Sequence, residues 1–168
     1  MTETIHLILS SMAQTEALAK VIAPLLKAGD LLALEGDLGA GKSAFARALI
    51  RFYLNAPETE VPSPTFTIVQ SYQVDNRQAD KADIWHADLY RLSDPDELYE
   101  LGLDDARDES VMIVEWPDRL EKTWRETALT IKFEILPAAD DIEDLPRAIT
   151  LSGSPAWADR IRTIKANT

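Results

Sequence analysis

The sequence contains no cysteine, which excludes a disulfide framework, a thiolate zinc site and a cysteine nucleophile. Basic residues are also scarce: 17 lysines and arginines stand against 29 aspartates and glutamates, for a net charge of −12. Nucleic-acid binding draws much of its affinity from neutralised phosphates, so a role on nucleic acid calls for a basic partner. Read by itself, the acidity serves solubility. Long hydrophobic runs are missing too. The apolar stretch from Ile5 to Leu9 is interrupted by His6 and is far too short to cross a bilayer, and the N-terminus lacks the basic start of a secretory signal. These absences predict a cytoplasmic protein without membrane association. There is no internal repeat, low-complexity tract or long polar linker, so residues 1–168 are expected to form a single domain with one continuous core.

What is present reads as alternating strands and helices. Residues 4–10 resemble a short strand, and residues 15–27 place Leu18, Val21, Ile22 and Leu25 at the spacing of an amphipathic helix, which Pro24 should bend or shorten. Gly29 closes that helix. The run DLLALE at 30–35 is continuously apolar between its acids, as in a strand covered on both faces. A second helix is expected over 42–54, with Phe45, Leu49 and Phe52 turned toward the sheet. Residues 55–64 hold three prolines and must be a loop. Two β-rich runs, 65–74 and 82–89, flank a polar hairpin loop, DNRQADK. A capped helix over 94–101 follows, with Ser93 or Asp94 as its cap, Pro95 in its first turn and Gly102 at its end. Residues 111–114 form a buried strand that leads through a turn into a short helix. The segments 128–136 and 147–152 alternate like paired strands around an acidic loop at 138–144, and 154–165 make a last helix.

Between the strand at 30–35 and the helix at 42–54 stands GDLGAGKS, which matches G-x-x-x-x-G-K-[ST] at Gly36, Gly41, Lys42 and Ser43. Residues Gly36, Asp37, Leu38, Gly39, Ala40 and Gly41 build a loop whose glycines let backbone amides turn inward and approach phosphate oxygens closely. Lys42 supplies positive charge to the β- and γ-phosphates, and the Ser43 hydroxyl is a hard oxygen donor suited to Mg2+. The pattern predicts a nucleoside triphosphatase. Such enzymes need a carboxylate at a neighbouring strand end to hold the magnesium shell and a group to orient the attacking water. Asp88 follows IWHA and Glu115 follows VMIV, and parallel strands would bring both to one edge. The residues alone leave the two roles open, with Glu115 preferred for magnesium and Asp88 for water. His86 reads as a partly buried structural residue, Trp116 as packing near the nucleotide, and Arg91 as either a phosphate contact or a structural support. The loop at 55–64 is well placed to order on a triphosphate and relax after its hydrolysis.

The D-x-x-G and N-K-x-D segments of guanine-specific triphosphatases occur nowhere, which disfavours GTP. Scattered arginines without a compact basic lid weigh against a small-molecule kinase. A nucleotide-gated binding module, in which hydrolysis is incidental, is the other alternative. Four blocks in order then carry a specific resemblance: GDLGAGKS, SPTFT at 63–67, HADLYRL at 86–92 with DPDEL and LGL after it, and VEWPDRL at 114–120. Together they resemble the bacterial TsaE (YjeE) family of ATPases. The resemblance implies an α/β, three-layer P-loop NTPase-like fold, with a mixed central sheet and helices on both faces. It also implies ATP and Mg2+ as cofactors, and action with the TsaB and TsaD proteins in forming threonylcarbamoyladenosine beside the anticodon of tRNAs. Contact with tRNA would be indirect, through the complex. Carried over by position, Leu38 to Ser43 bind phosphates, Ser43 and Glu115 hold magnesium, Asp88 with Lys42 serves hydrolysis, and Thr65 lies in a switch-like loop that senses the γ-phosphate. Two departures stand out: Ser43 replaces the threonine common in the family, and VPSPT carries an added proline. Intrinsic turnover is expected to be low, because no arginine finger is evident in the chain.

Overall fold

The computed structural model describes residues 3–75, 78, 80–94, 96–138 and 144–168. Its centre is a seven-stranded mixed sheet in the order β1-β7-β6-β2-β5-β4-β3, formed by β1 (Thr4–Leu9), β2 (Leu31–Glu35), β3 (Val69–Tyr72), β4 (Ile84–Asp88), β5 (Val111–Glu115), β6 (Leu129–Ile135) and β7 (Arg147–Gly153). Strands β4, β5, β2 and β6 run parallel, while β3, β7 and β1 are antiparallel to their neighbours. One face carries α1 (Met12–Ile22), α2 (Lys42–Leu54) and α6 (Ala158–Asn167). The other carries the short helices α3 (Glu97–Glu100), α4 (Leu103–Ala106) and α5 (Lys122–Thr127).

Burial follows from the residue pattern. On β2, Leu32 and Leu34 enter the core under α1 and α2, and Leu31 and Ala33 enter the core beneath the short helices. A strand buried on both faces needs the continuous apolar run seen at 31–34. Strand β6 alternates instead: Leu129, Ile131 and Phe133 are buried and Lys132 and Glu134 are exposed, as in a sheet with one face open to water. Phe45 packs against Phe133 with ring centroids 5.6 Å apart, tying the first turns of α2 to β6. Truncating such a fully buried ring to alanine costs about 3–5 kcal/mol.

Several boundaries differ from expectation. Helix α1 starts at Met12, because the Ser11 hydroxyl caps it by accepting from the Gln14 amide. It ends at Ile22, and Pro24 sits in a 3-10 turn at Ala23–Leu25. Phe52 is 40% exposed while Tyr53 is buried, so the inward stripe of α2 runs through Phe45, Leu49 and Tyr53. The pairing of 65–74 with 82–89 is antiparallel as expected, but strand geometry begins only at Val69. The helix expected over 94–101 is a single turn. Glu97 accepts from the Asp94 amide and the Ser93 hydroxyl, and Gly102 at φ 72° breaks the chain into α4. Pro95, three residues of the hairpin loop (76, 77 and 79) and residues 139–143 of the acidic loop lie outside the described residues.

Candidate functional site

The loop GDLGAGKS joins the carboxyl end of β2 to the first turn of α2. Two of its glycines are required by geometry. Gly36 has φ 142°, and a Cβ there would stand 2.5 Å from the Phe133 carbonyl oxygen; Gly41 has φ 106°, and a Cβ would meet Arg147 Nε at 2.9 Å. The first helical bond runs from Phe45 N to Gly41 O at 3.0 Å. The amides of Lys42, Ser43 and Ala44 ahead of it therefore have no intrahelical acceptor, which makes this helix start a natural anion cradle.

Lys42 is 5% exposed and donates from Nζ to the carbonyls of Gly36 (2.5 Å) and Asp37 (2.9 Å). Its ammonium also lies 4.5 Å from the centroid of Trp116, whose ring stacks obliquely on Tyr90 at 4.9 Å. Burial pushes the Lys42 ammonium below its ordinary pKa, although the carboxylates of Glu115, Asp88 and Asp37 pull it the other way.

The parallel pairing of β4 with β5 sets Asp88 directly beside Glu115 at the strand ends. Both are buried, at 7% and 2% exposure. The Ser43 hydroxyl lies 3.0 Å from each Glu115 carboxylate oxygen, and His86 Nε2 is 2.8 Å from Oε1. Asp88 Oδ1 accepts from the Tyr90 amide at 3.0 Å, and Oδ2 lies 3.4 Å from the Thr65 hydroxyl, which is itself 2.7 Å from that of Ser63. Among the described residues no group of three His, Cys, Asp or Glu side chains could hold a metal ion unaided. A cation here would depend on Ser43, Glu115 and the oxygens of water and ligand, a donor set that suits magnesium.

The decisive likeness covers most of the chain: the family model described as threonylcarbamoyl adenosine biosynthesis protein TsaE matches residues 9–141. The chain belongs to the TsaE family. The tRNA threonylcarbamoyladenosine biosynthesis protein TsaE of Rickettsia felis is 35% identical over 153 residues, covering 91% of this chain and 84% of its own. The Bacillus subtilis protein of the same name is 37% identical over 134 residues, 79% of this chain and 77% of that one. The crystal structure of Bacillus subtilis YdiB superimposes with a TM-score of 0.73 at 27% identity, covering 100% of this chain and 99% of that chain. The fold is thus the α/β P-loop NTPase-like one expected of a TsaE protein. The family match extends past the four recognised blocks on both sides and stops short of β7 and α6.

The structure brings Lys42, Ser43, Asp88 and Glu115 together, with Thr65 at the margin. Arg91 is not among them; its guanidinium lies over the exposed ring of Phe66 at 4.8 Å. Two neighbours were not expected. His86 reaches Glu115, and the sign was available, since residues two apart on a strand share a face with Asp88. Arg147, the first residue of β7, donates from Nε to Ala40 O at 2.8 Å and braces the loop from behind, with Asp144 on its Nη1 at 3.0 Å. No local pattern announces that contact. A cleft of about 890 Å3 lies elsewhere, at the far end of α2 between Leu54, Tyr72 and Gln78.

Proposed function

We propose that this chain binds Mg-ATP at Gly36 to Ser43 and hydrolyses it in the cytoplasm. In this reading it acts with the TsaB and TsaD proteins to form threonylcarbamoyladenosine on tRNA. The observation that carries the reading is the register of β4 and β5: it sets Asp88 beside Glu115, with the Ser43 hydroxyl 3.0 Å from both Glu115 oxygens. A phosphate loop alone binds anions; a phosphate loop facing two buried carboxylates can also manage a cation and a water.

Each residue has a distinct task. The amides of Leu38 to Ser43 donate to phosphate oxygens at the helix start. Lys42 exchanges its two carbonyl acceptors, Gly36 and Asp37, for oxygens of the β- and γ-phosphates. Ser43 and Glu115 hold magnesium, which when bound neutralises charge on the phosphates. Asp88 accepts a hydrogen bond from the attacking water and orients it, held in place by the Tyr90 amide. Thr65 exchanges its contact with Asp88 for the γ-phosphate, which lets the proline-rich loop register the nucleotide state. Slow turnover in isolation fits the arginines of the described residues: Arg91 stacks on Phe66 and Arg147 is committed to Ala40. The net charge of −12 supports a reading in which contact with tRNA falls to the partners. Among the described residues no helix is long and apolar enough to cross a membrane.

The test is phosphate release from Mg-ATP by the purified protein, alone and with TsaB and TsaD from the same source. Release is expected to rise with the partners and to fall by about 10²–10³ in Lys42→Ala and Glu115→Ala. Intact nucleotide binding with no partner dependence would overturn the assignment.

A further inference from the structure

We infer that His86 is a positioning residue for Glu115, clamping one carboxylate oxygen so that the other is left to face Ser43 and a magnesium ion. The inference rests on the Mg-ATP reading above and adds a residue and a task to it.

The argument begins with a degeneracy. Ser43 Oγ is 3.0 Å from both Oε1 and Oε2 of Glu115, and a serine has one proton, so it can satisfy only one of them at a time. With serine as its sole partner the carboxylate would have two equivalent orientations. His86 removes the equivalence, because its Nε2 reaches Oε1 alone, at 2.8 Å. A carboxylate ion only accepts, so the ring proton of this pair sits on Nε2. Oε1 is then held by the histidine, and Oε2 is the oxygen available to the hydroxyl and the cation.

The rest of the ring argues against a purely structural role. His86 is 1% exposed, and its Nδ1 is buried with no partner among the described residues. Its strand neighbours on the same face, Ile84 and Asp88, and its cross-strand partner Ile113 show that the position lies where the apolar core gives way to the site. Packing alone would favour an aliphatic side chain there, since a buried nitrogen without a partner carries a cost. Among the described residues the bond to Glu115 is the ring's one polar contact, and it is the contact that offsets the cost of burying an imidazole there. Backbone pairing on both sides, to Gln70 of β3 and Ile113 of β5, denies the residue any main-chain freedom, so the clamp is built into the sheet. Partners that orient a ligand in this way govern metal affinity without touching the metal.

The experiment compares nucleotide affinity with magnesium and with EDTA, by equilibrium dialysis of labelled ATP, in wild type, His86→Leu and His86→Gln. His86→Leu should match wild type in EDTA and lose about tenfold of the magnesium-dependent gain. His86→Gln, which keeps an amide N–H in place of Nε2–H, should recover much of it. An unchanged magnesium-dependent gain in His86→Leu overturns the inference, as does an equal loss with and without magnesium. A wild-type protein that binds no ATP in either condition overturns the nucleotide reading itself, and is seen before any variant is compared. A second measurement does not use nucleotide at all. The chain has only two histidines, so a His6→Gln background leaves one ring to observe by long-range proton–nitrogen correlation. A slowly exchanging Nε2 proton, whose signal moves in Glu115→Gln, is expected; a ring carrying its proton on Nδ1 would overturn the clamp.

Discussion

The two edges of one sheet bury carboxylates in opposite ways. At the amino edge, Asp30 precedes β2 and accepts from Arg160 Nη1 at 2.5 Å and from the Lys27 amide at 2.8 Å. Arg160 lies 3.5 Å from the centroid of the buried Trp157 ring, so both members of the pair are fixed. At the carboxyl edge, Asp88 and Glu115 are buried as deeply, yet among the described residues neither has a lysine or arginine within salt-bridge distance. Hydroxyls, an imidazole and a backbone amide surround them instead. A buried charge with a permanent cationic partner is architecture. One held by hydroxyls, an imidazole and an amide, with no ammonium or guanidinium in contact, leaves its field open to a cation or a polarised water, so the donors around a buried acid mark a candidate functional site more sharply than burial does.

Substitutions on the two edges should therefore fail differently. The largest effect is expected at Asp88: Asp88→Asn should lower partner-stimulated phosphate release by about 10²–10⁴ while ATP binding stays near wild type, as read by dialysis. If complex-dependent tRNA modification nevertheless continues at the wild-type rate, the protein is a nucleotide-gated docking module whose hydrolysis is incidental. Next is Asp30→Ala, which strands Arg160 beside Trp157 and should cost about 3 kcal/mol in urea unfolding. Phosphate release per folded molecule should not change, and a large loss there would erase the contrast between the edges. Ser43→Thr keeps the hydroxyl and should alter phosphate release by no more than about threefold, since the hard oxygen donor is retained.

The smallest effect is a pH dependence. The folded-state pKa of Lys42 is lowered by burial, so between that value and the ordinary 10.5 the unfolded chain binds more protons than the folded one. The cost of the buried charge is full below the folded pKa and is relieved as pH rises through it, so this residue adds stability with rising pH in that alkaline window. Tyr53 and Tyr72, whose pKa values burial raises, act in the opposite sense but only as pH climbs above their ordinary 10.0, where the lysine's window is ending. The difference between wild type and Lys42→Met, followed by urea midpoint from neutral to alkaline pH, isolates the lysine; no difference in slope would mean its ammonium is solvated.

Legibility in the sequence followed the range of the physics. Helix α2 runs over the expected residues, because a glycine at its start and the left-handed Asn55 at its end are local signals. The proximity of Asp88 and Glu115 was readable as a conditional, two apolar runs each ending in an acid, and the parallel register met the condition. Phe52 was misjudged because helical spacing leaves a choice of stripe, and the rotation of α2 against Phe133 and Tyr53's bond to the Ala82 carbonyl made that choice. The start of α1 was missed because its first turn, Met12-Ala13-Gln14, has little apolar periodicity and rests on the Ser11 cap.

By itself the sequence determined the phosphate loop, the residue types that can serve it, and the alternation of strands and helices, since each depends on spacings of a few residues. Tertiary structure alone decided that β6 and β7 separate β1 from β2, that Arg147 braces a loop 107 residues before it, that Arg160 neutralises Asp30, and that His86 meets Glu115. Those contacts join residues between 29 and 130 positions apart, and at such separations the packing of the sheet selects the partner.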